Sequence, residues 1–276
     1  MDVRVVSELA EFEASAEALY AADPVRHTVE LTALAMARST DRQPVMLTVH
    51  DGAELVGAVL RTPPYPLILN ALPANSVEQA VTALRELDPE APGAIGPREV
   101  TETFADAWAQ HTGATWHLVR KSRLYRLGEL AAPDTTGAAR VATADDLPVL
   151  APWLDAFRHE THGDEQSVAA EHLRASLARG DGFLLWEVDG IPVSWAKASA
   201  PRQGMSRIAP VYTPPEHRAH GYGSAVTAAA SRWALDQGVT ALLLFTDLAN
   251  PTSNSIYQKI GYRPVLDTVE LTFTRP

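Results

Sequence analysis

Apolar and polar positions alternate in two stretches of the chain that look alike. LTVHDGAELVGAVL (47–60) places two β-rich runs around Asp51-Gly52, and FLLWEVDGIPVSWAKA (183–198) does the same around Asp189-Gly190. Asp-Gly between such runs predicts a hairpin, because the pair readily adopts the positive φ that a two-residue turn needs. In each half a helical region precedes the hairpin, and a strand near the end follows a glycine, Gly113 or Gly261. The pattern predicts a duplicated architecture.

The second half is the more readable. SRIAPVY (206–212) predicts a strand and TPPEHRAHG a loop. The Ala-rich stretch 222–237 predicts a helix closed by Gly238. TALLLFTD (240–247) is a continuous apolar run, the mark of a strand covered on both faces. ANPTSNSIYQKI begins with cap-type residues and predicts a short helix ending at Gly261, and DTVELTF (267–273) alternates as a last strand. Strand, helix, strand, helix, strand gives an α/β (α+β) layer.

The small, weakly periodic stretch GELAAPDTTGAAR separates the strand SRLYRL from a new strand and amphipathic helix. The expected organisation is a domain over 1–130, a linker over 131–139 and a second domain over 140–276. A chain of 276 residues suits one large or two ordinary domains.

Composition narrows the chemistry. Lys and Arg total 23 against 34 Asp and Glu, so the net charge of -11 argues against a nucleic-acid partner, which calls for a basic face. The absence of cysteine excludes disulfides, thiolate metal sites and a cysteine nucleophile. The nine histidines show no metal-ligand spacing, and there is no G-x-S-x-G for a serine hydrolase. His159, His162, His217 and His220 read as surface or loop residues, and no metal is expected. The N-terminus has no apolar run of signal-peptide length and no stretch is long enough to span a bilayer, so a cytoplasmic protein without a membrane partner is expected.

The chemistry-bearing motif is Arg218-Ala219-His220-Gly221-Tyr222-Gly223, between a predicted strand and a predicted helix. A helix N-terminus offers unpaired N–H groups and partial positive charge to a pyrophosphate. Glycine lets phosphate approach the backbone, and Arg218 either adds bonds to phosphate or braces the loop. R-x-x-G-x-G alone also describes a tight strand-to-helix turn.

Residues 206–264 carry that turn, then the apolar strand near 241–246, then Asn250 seven residues before Tyr257 with Gly261-Tyr262 after it. In this order and spacing the segment closely resembles the core of the GNAT superfamily of N-acetyltransferases. The resemblance implies two GNAT-like domains, each a central mixed sheet flanked by helices, and acetyl-CoA as co-substrate. It implies that Arg218, Ala219, His220, Gly221, Tyr222, Gly223 and Ser224 bind the pyrophosphate. Val211, Tyr212 and Thr213 would pair with the pantetheine arm, Asn250 and Ser253 would bind the cofactor beside them, and Tyr257 would act as general acid at the sulfur. A phenol suits that role, since it keeps its proton near neutral pH. A core aromatic at 257 and a helix cap at 250 are the alternatives.

The segment departs from common GNAT patterns in two ways. Pro214 and Pro215 cannot donate to phosphate, and no base stands on the strand 206–212, where many relatives place a Glu. His159, Glu160 and Glu187 are candidates, and none is assigned. Trp153, Phe157, Trp186 and Trp195 either line an acceptor pocket or fill the core. The first half has RTPPYPLILNALP after its hairpin and Ala109 in the place of Tyr257, so it resembles a degenerate copy.

The expected reaction is acetyl transfer to a primary amine of a small molecule or peptide, by direct attack, in a monomer or homodimer. Alternatives are a CoA-binding sensor or scaffold with little turnover, another acyl-CoA, and the tandem layout of mycothiol synthases, which acetylate an aminosugar-cysteine conjugate. A Rossmann-like nucleotide binder fits less well, because no acidic ribose-binding residue follows at the expected distance.

Overall fold

The computed structural model describes residues 1–38, 42–162 and 169–275, apart from the side chain of His162, so of that histidine pair only His159 is described in full. The first half runs β1 (Asp2–Val5), α1 (Leu9–Ala22), α2 (Thr28–Ala37), β2 (Val45–Asp51), β3 (Glu54–Arg61), β4 (Leu67–Ile68), α3 (Val77–Leu87), β5 (Gly93–Pro97), α4 (Arg98–Thr112) and β6 (Thr115–Leu127). The second runs β7 (Ala138–Val141), α5 (Leu147–His162), α6 (Ala169–Ala178), β8 (Gly182–Val188), β9 (Ile191–Ala198), β10 (Met205–Tyr212), α7 (Tyr222–Asp236), β11 (Ala241–Asp247), α8 (Pro251–Lys259) and β12 (Tyr262–Thr274).

The chain forms two compact units. One comprises Met1–Arg123, Asp247–Ala249 and Val265–Pro276; the other comprises Leu124–Thr246 and Asn250–Pro264. The last strand therefore groups from Val265 onward with the first unit, where Thr268–Thr272 pair antiparallel with Gly93–Pro97. Sequence order alone assigns that strand to the second half, because ladder pairing leaves no trace in one strand's own alternation.

The ladder pattern repeats between the two units. In the first unit β2 and β3 form an antiparallel hairpin, β3 pairs antiparallel with β4, and β4 pairs parallel with β5. In the second, β8, β9, β10 and β11 repeat the sequence: antiparallel, antiparallel, parallel. The hairpin turns lie at Asp51-Gly52 and Asp189-Gly190, as their sequence requires, with positive φ at Gly52, Asp189 and Gly190. Where the first unit passes from β4 to α3, however, there is a short 3-10 turn, Ala74–Ser76, without glycine.

In the second unit successive β9 residues serve opposite cores. Ala196 and Ala198 pack with Ile208, Leu242, Leu244 and the alanines of α7. Trp195 packs with Phe183, Leu185 and Tyr212 against α5 and α6. This is the period of two in a strand covered on both faces. Small residues on α7 let the helix approach the sheet closely, while Trp195 stacks on Phe183 at 5.8 Å between ring centroids. Trp195 is thus a core residue, and Trp153 and Phe157 pack half-buried against the same cluster.

The expected linker has structure of its own. β7 begins at Ala138 and pairs antiparallel with β8, an edge pairing its short Ala-Ala-Arg-Val sequence does not announce. The acidic start of α5 is a capping box: Thr143 Oγ1 accepts from Asp145 N, and Asp146 accepts from Thr143 N at 2.8 Å. Arg140 grips Asp146 with both terminal nitrogens, at 2.8 and 2.7 Å. Those bonds hold the Asp146 carboxyl below its ordinary value, against the opposing effect of burial. A depressed pKa stabilises the fold above the unfolded value, ~4, and the gain is lost as the pH falls through the folded one. Asp146→Asn is expected to cost about 1–2 kcal/mol in urea unfolding at pH 7, with the gap narrowing below pH ~4. A gap unchanged at pH 3.5 would mean that the carboxylate charge is not what stabilises this corner.

Candidate functional site

The site begins where two parallel strands part. β10 and β11 pair only at Met205–Arg207 against Ala241–Leu243, although both run on, to Tyr212 and Asp247. On its other side β10 gains a residue: Ile208 opposes Ala198 and Val211 opposes Ala196, three steps against two. Such a bulge bends the strand and increases its twist, which turns Val211–Thr213 away from β11. A wedge opens between the strands at their carboxyl ends, the place where open α/β sheets bind ligands.

The two helices that follow these strands stand at the same end. After β10 come the turn Pro215–His217 and the loop to α7. Ala219 has φ +66° and Gly221, the N-cap of α7, has φ +82°. Left-handed backbone at a non-glycine costs about 1–2 kcal/mol, and alternating hands aim neighbouring N–H groups into one concavity. No side chain caps α7, and residues 218–221 are exposed. The first-turn N–H groups of Tyr222, Gly223 and Ser224 thus face the loop without a side-chain acceptor. A Cβ on Gly223 would lie 3.3 Å from Thr213 Oγ1, so this turn packs directly on the end of β10.

Arg218 is a brace. Its Nε donates to Thr213 O at 2.9 Å, and its Nη2 reaches both carboxylate oxygens of Glu160 at 2.9 and 2.7 Å. The guanidinium lies 5.7 Å from the Tyr212 ring centroid, and Tyr212 Oη donates to Glu160 at 3.2 Å. His220 closes the turn through Nδ1 to Arg218 O at 2.7 Å and stacks on Tyr222 at 5.4 Å. Ser194 of β9 bonds Tyr212 O and Thr213 Oγ1 at 3.0 and 2.8 Å.

Asn250, Ser253 and Tyr257 share one face of α8, as spacings of three and four residues dictate. Asn250 caps the helix, accepting from Ser253 N at 3.0 Å. Tyr257 is half-buried against the α7-side core and meets Tyr262 edge-on at 6.2 Å. Burial pushes its phenol up to about 12, partly offset by a hydrogen bond with Ser253.

Of the thirteen candidates, Val211 to Thr213 lie at the end of β10, Arg218 to Ser224 on the loop and first turn of α7, and Asn250, Ser253 and Tyr257 on α8, which follows β11. The fold separates the base candidates. Glu160 is engaged by Arg218 and Tyr212; Glu187 accepts from Arg140 at 2.7 Å; His159 is exposed on α5. Sequence reasoning missed Glu160 as the partner of Arg218 and missed Ser194, because 58 and 19 residues separate them from the groups they hold. Among the described residues no three His, Asp or Glu side chains form a metal-binding group, and no helix is long and apolar enough to cross a membrane.

Comparison with known proteins gives this geometry a context. The model of the Acetyltransferase (GNAT) family matches residues 147–262. The chain is 27% identical over 239 residues to the mycothiol acetyltransferase of Paenarthrobacter aurescens (strain TC1), covering 82% of this chain and 72% of that one. Among solved structures it superposes on a GCN5-related N-acetyltransferase from Sphaerobacter thermophilus with TM-score 0.64 at 17% identity, over 100% and 96% of the two chains. It also superposes on a tandem GNAT protein from the clavulanic acid biosynthesis pathway with TM-score 0.60 at 12% identity, over 99% and 98%. At such identities the structural likeness speaks for the fold.

The raised phenol of Tyr257 has a direct test. A pKa moved up in the folded state means the proton is retained through pH 10, and folding is penalised only as the unfolded phenol ionises above that value. In an ultraviolet titration of native protein, the difference between the parent and Tyr257→Phe is expected to show one phenol ionising near 12. One ionising near 10 would place Tyr257 in contact with water.

Proposed function

From the match of residues 147–262 to the Acetyltransferase (GNAT) family we propose that the chain is a GNAT enzyme that transfers the acetyl group of acetyl-CoA to a primary amine by direct attack. It is an acyl-CoA-dependent N-acyltransferase; the acyl group, the acceptor and the roles of individual residues are what the proposal adds. The observation that carries it is the parting of β10 and β11 beside an uncapped helix N-terminus.

The residues present fit the cofactor. At the pyrophosphate position Gly221 is left-handed and without a side chain, and Tyr222, Gly223 and Ser224 present first-turn N–H groups. Arg218, held by Glu160, fixes the loop; Ala219 and His220 shape it. Val211, Tyr212 and Thr213 offer backbone groups to an extended arm lying in the wedge, as an added strand would. Asn250 and Ser253 set the start of α8 and the hydroxyl partner of Tyr257.

Acetyl-CoA, when bound, supplies an activated acyl carbon and a thiolate leaving group. Tyr257 holds a proton at its phenol oxygen across the physiological range and is suited to deliver it to the departing sulfur. Backbone N–H groups of β10 beyond the bulge supply oxyanion donors that need no side chain, although Pro210 is not one of them. Glu160 and Glu187 are each spent on an arginine, so water is the more suitable carrier of the proton from the attacking ammonium. A mycothiol-type acceptor is a second reading, favoured by the 27% identity with an acetyltransferase of that name.

Acetyl-CoA is expected to raise the Tm of the parent and of Tyr257→Phe, but not of Gly221→Glu, whose carboxylate would stand where the phosphates dock. Circular dichroism of Gly221→Glu without ligand separates loss of binding from loss of fold. Turnover, read as free CoA released with an amine panel including a mycothiol precursor, is expected to fall about 10²–10⁴-fold in Tyr257→Phe. No shift of the parent at millimolar acetyl-CoA would defeat the cofactor assignment.

A further inference from the structure

The stretch between the halves, which composition marks as a linker, is held to the second unit at both ends. At one end Gly128 N donates to Gly261 O at 3.0 Å and Ala131 N to Ile260 O at 3.1 Å. The contact is so close that a Cβ on Gly261 would overlap the Glu129 carbonyl, and its φ of +110° also requires glycine. At the other end Trp186 Nε1 of β8 donates to Thr136 O at 2.9 Å. The segment therefore runs from the end of α8 to the edge strand β7, and between these pins it meets the loop before α7.

The meeting point is Thr135. A Cβ built on Gly221 would lie 3.3 Å from Thr135 Oγ1 and 3.8 Å from its Cγ2, so the hydroxyl rather than the methyl is nearer the loop. Thr135 is half-buried. Among residues 131–137 it is the one that places a side-chain donor beside the left-handed glycine. We propose that Thr135 is a further residue of the cofactor site, its hydroxyl donating to a phosphate oxygen held at Gly221. The proposal rests on the reading of residues 218–224 as the pyrophosphate loop. It makes the segment joining the halves a wall of that site.

The physical expectation is specific. A hydroxyl given to a charged acceptor contributes one hydrogen bond, worth roughly 10- to 150-fold in affinity. Valine keeps the shape of threonine and removes the donor; serine keeps the donor. In calorimetric titrations with CoA, Thr135→Val is expected to raise Kd by that factor, and Thr135→Ser to stay within about 3-fold of the parent. Thr136→Val, at an exposed neighbouring side chain on the same segment, is the control and is expected to bind as the parent does. All three should melt with the parent in the absence of ligand. Unchanged affinity in Thr135→Val overturns the proposal, and so does equal weakening in Thr136→Val, which would point to a general disturbance of the segment. A parent that fails to bind CoA overturns the pyrophosphate reading itself, an outcome distinct from binding that ignores Thr135.

Discussion

The separation of β10 from β11 after three ladder pairs is the constraint on which the rest of the site depends. Sheet strands keep their neighbours unless something prevents it, because unpaired backbone groups are costly away from water. Here the extra residue between Ile208 and Val211 bends β10 outward, and the strand's far end is held by other partners. Ser194 takes Tyr212 O, Arg218 takes Thr213 O, and Glu160 takes the Tyr212 hydroxyl and Arg218 together. The wedge is thus held open by bonds at its outer rim, and it sits where two helices begin.

This accounting changes what the arginine of the loop contributes. A guanidinium with a carboxylate on one nitrogen and a carbonyl on another is already oriented, and its charge is already partly answered. On the proposed reading of the loop, phosphate would then be recognised mainly by backbone N–H groups that are fixed before a ligand arrives, which lowers the ordering cost of binding. The left-handed conformation at Ala219 fits that account: backbone strain persists where the surroundings over-determine it. Tyr257 follows the same logic, since its neighbours on α8 and in the core fix both its position and its proton.

The two units make the contrast sharper. Both repeat the same ladder pattern, yet only the second has glycine at the turn before its sheet-covering helix and a tyrosine four residues before the glycine that closes the next helix. In the first unit a buried pair, Arg61 to Asp88 at 2.8 Å, and a buried Glu30 bonded to Asn70 at 3.1 Å belong to the packing of that unit. The repeated ladder pattern is common to both units, while the loop glycines Gly221 and Gly223 and the tyrosine at 257 occur in one of them.

The sequence by itself determined the elements and the residues of the wedge mouth. Hairpins at Asp51-Gly52 and Asp189-Gly190, the apolar strand 241–247 and the cap at Asn250 all follow from local periodicity and backbone preference, which act over a few residues. The order Arg218, Gly221, Gly223, Asn250, Tyr257 was legible for the same reason: the loop and the helix each carry their spacing within one segment. Tertiary structure alone decided which groups those residues meet. The brace from Glu160 to Arg218, the bond from Ser194 to Thr213, the approach of Thr135 to Gly221 and the pairing of the last strand with Gly93–Pro97 join positions 19 to 179 residues apart along the chain. No local pattern encodes such a partner, because what selects it is the shape and the unmet bonds of a surface that exists only once the sheet and helices have packed.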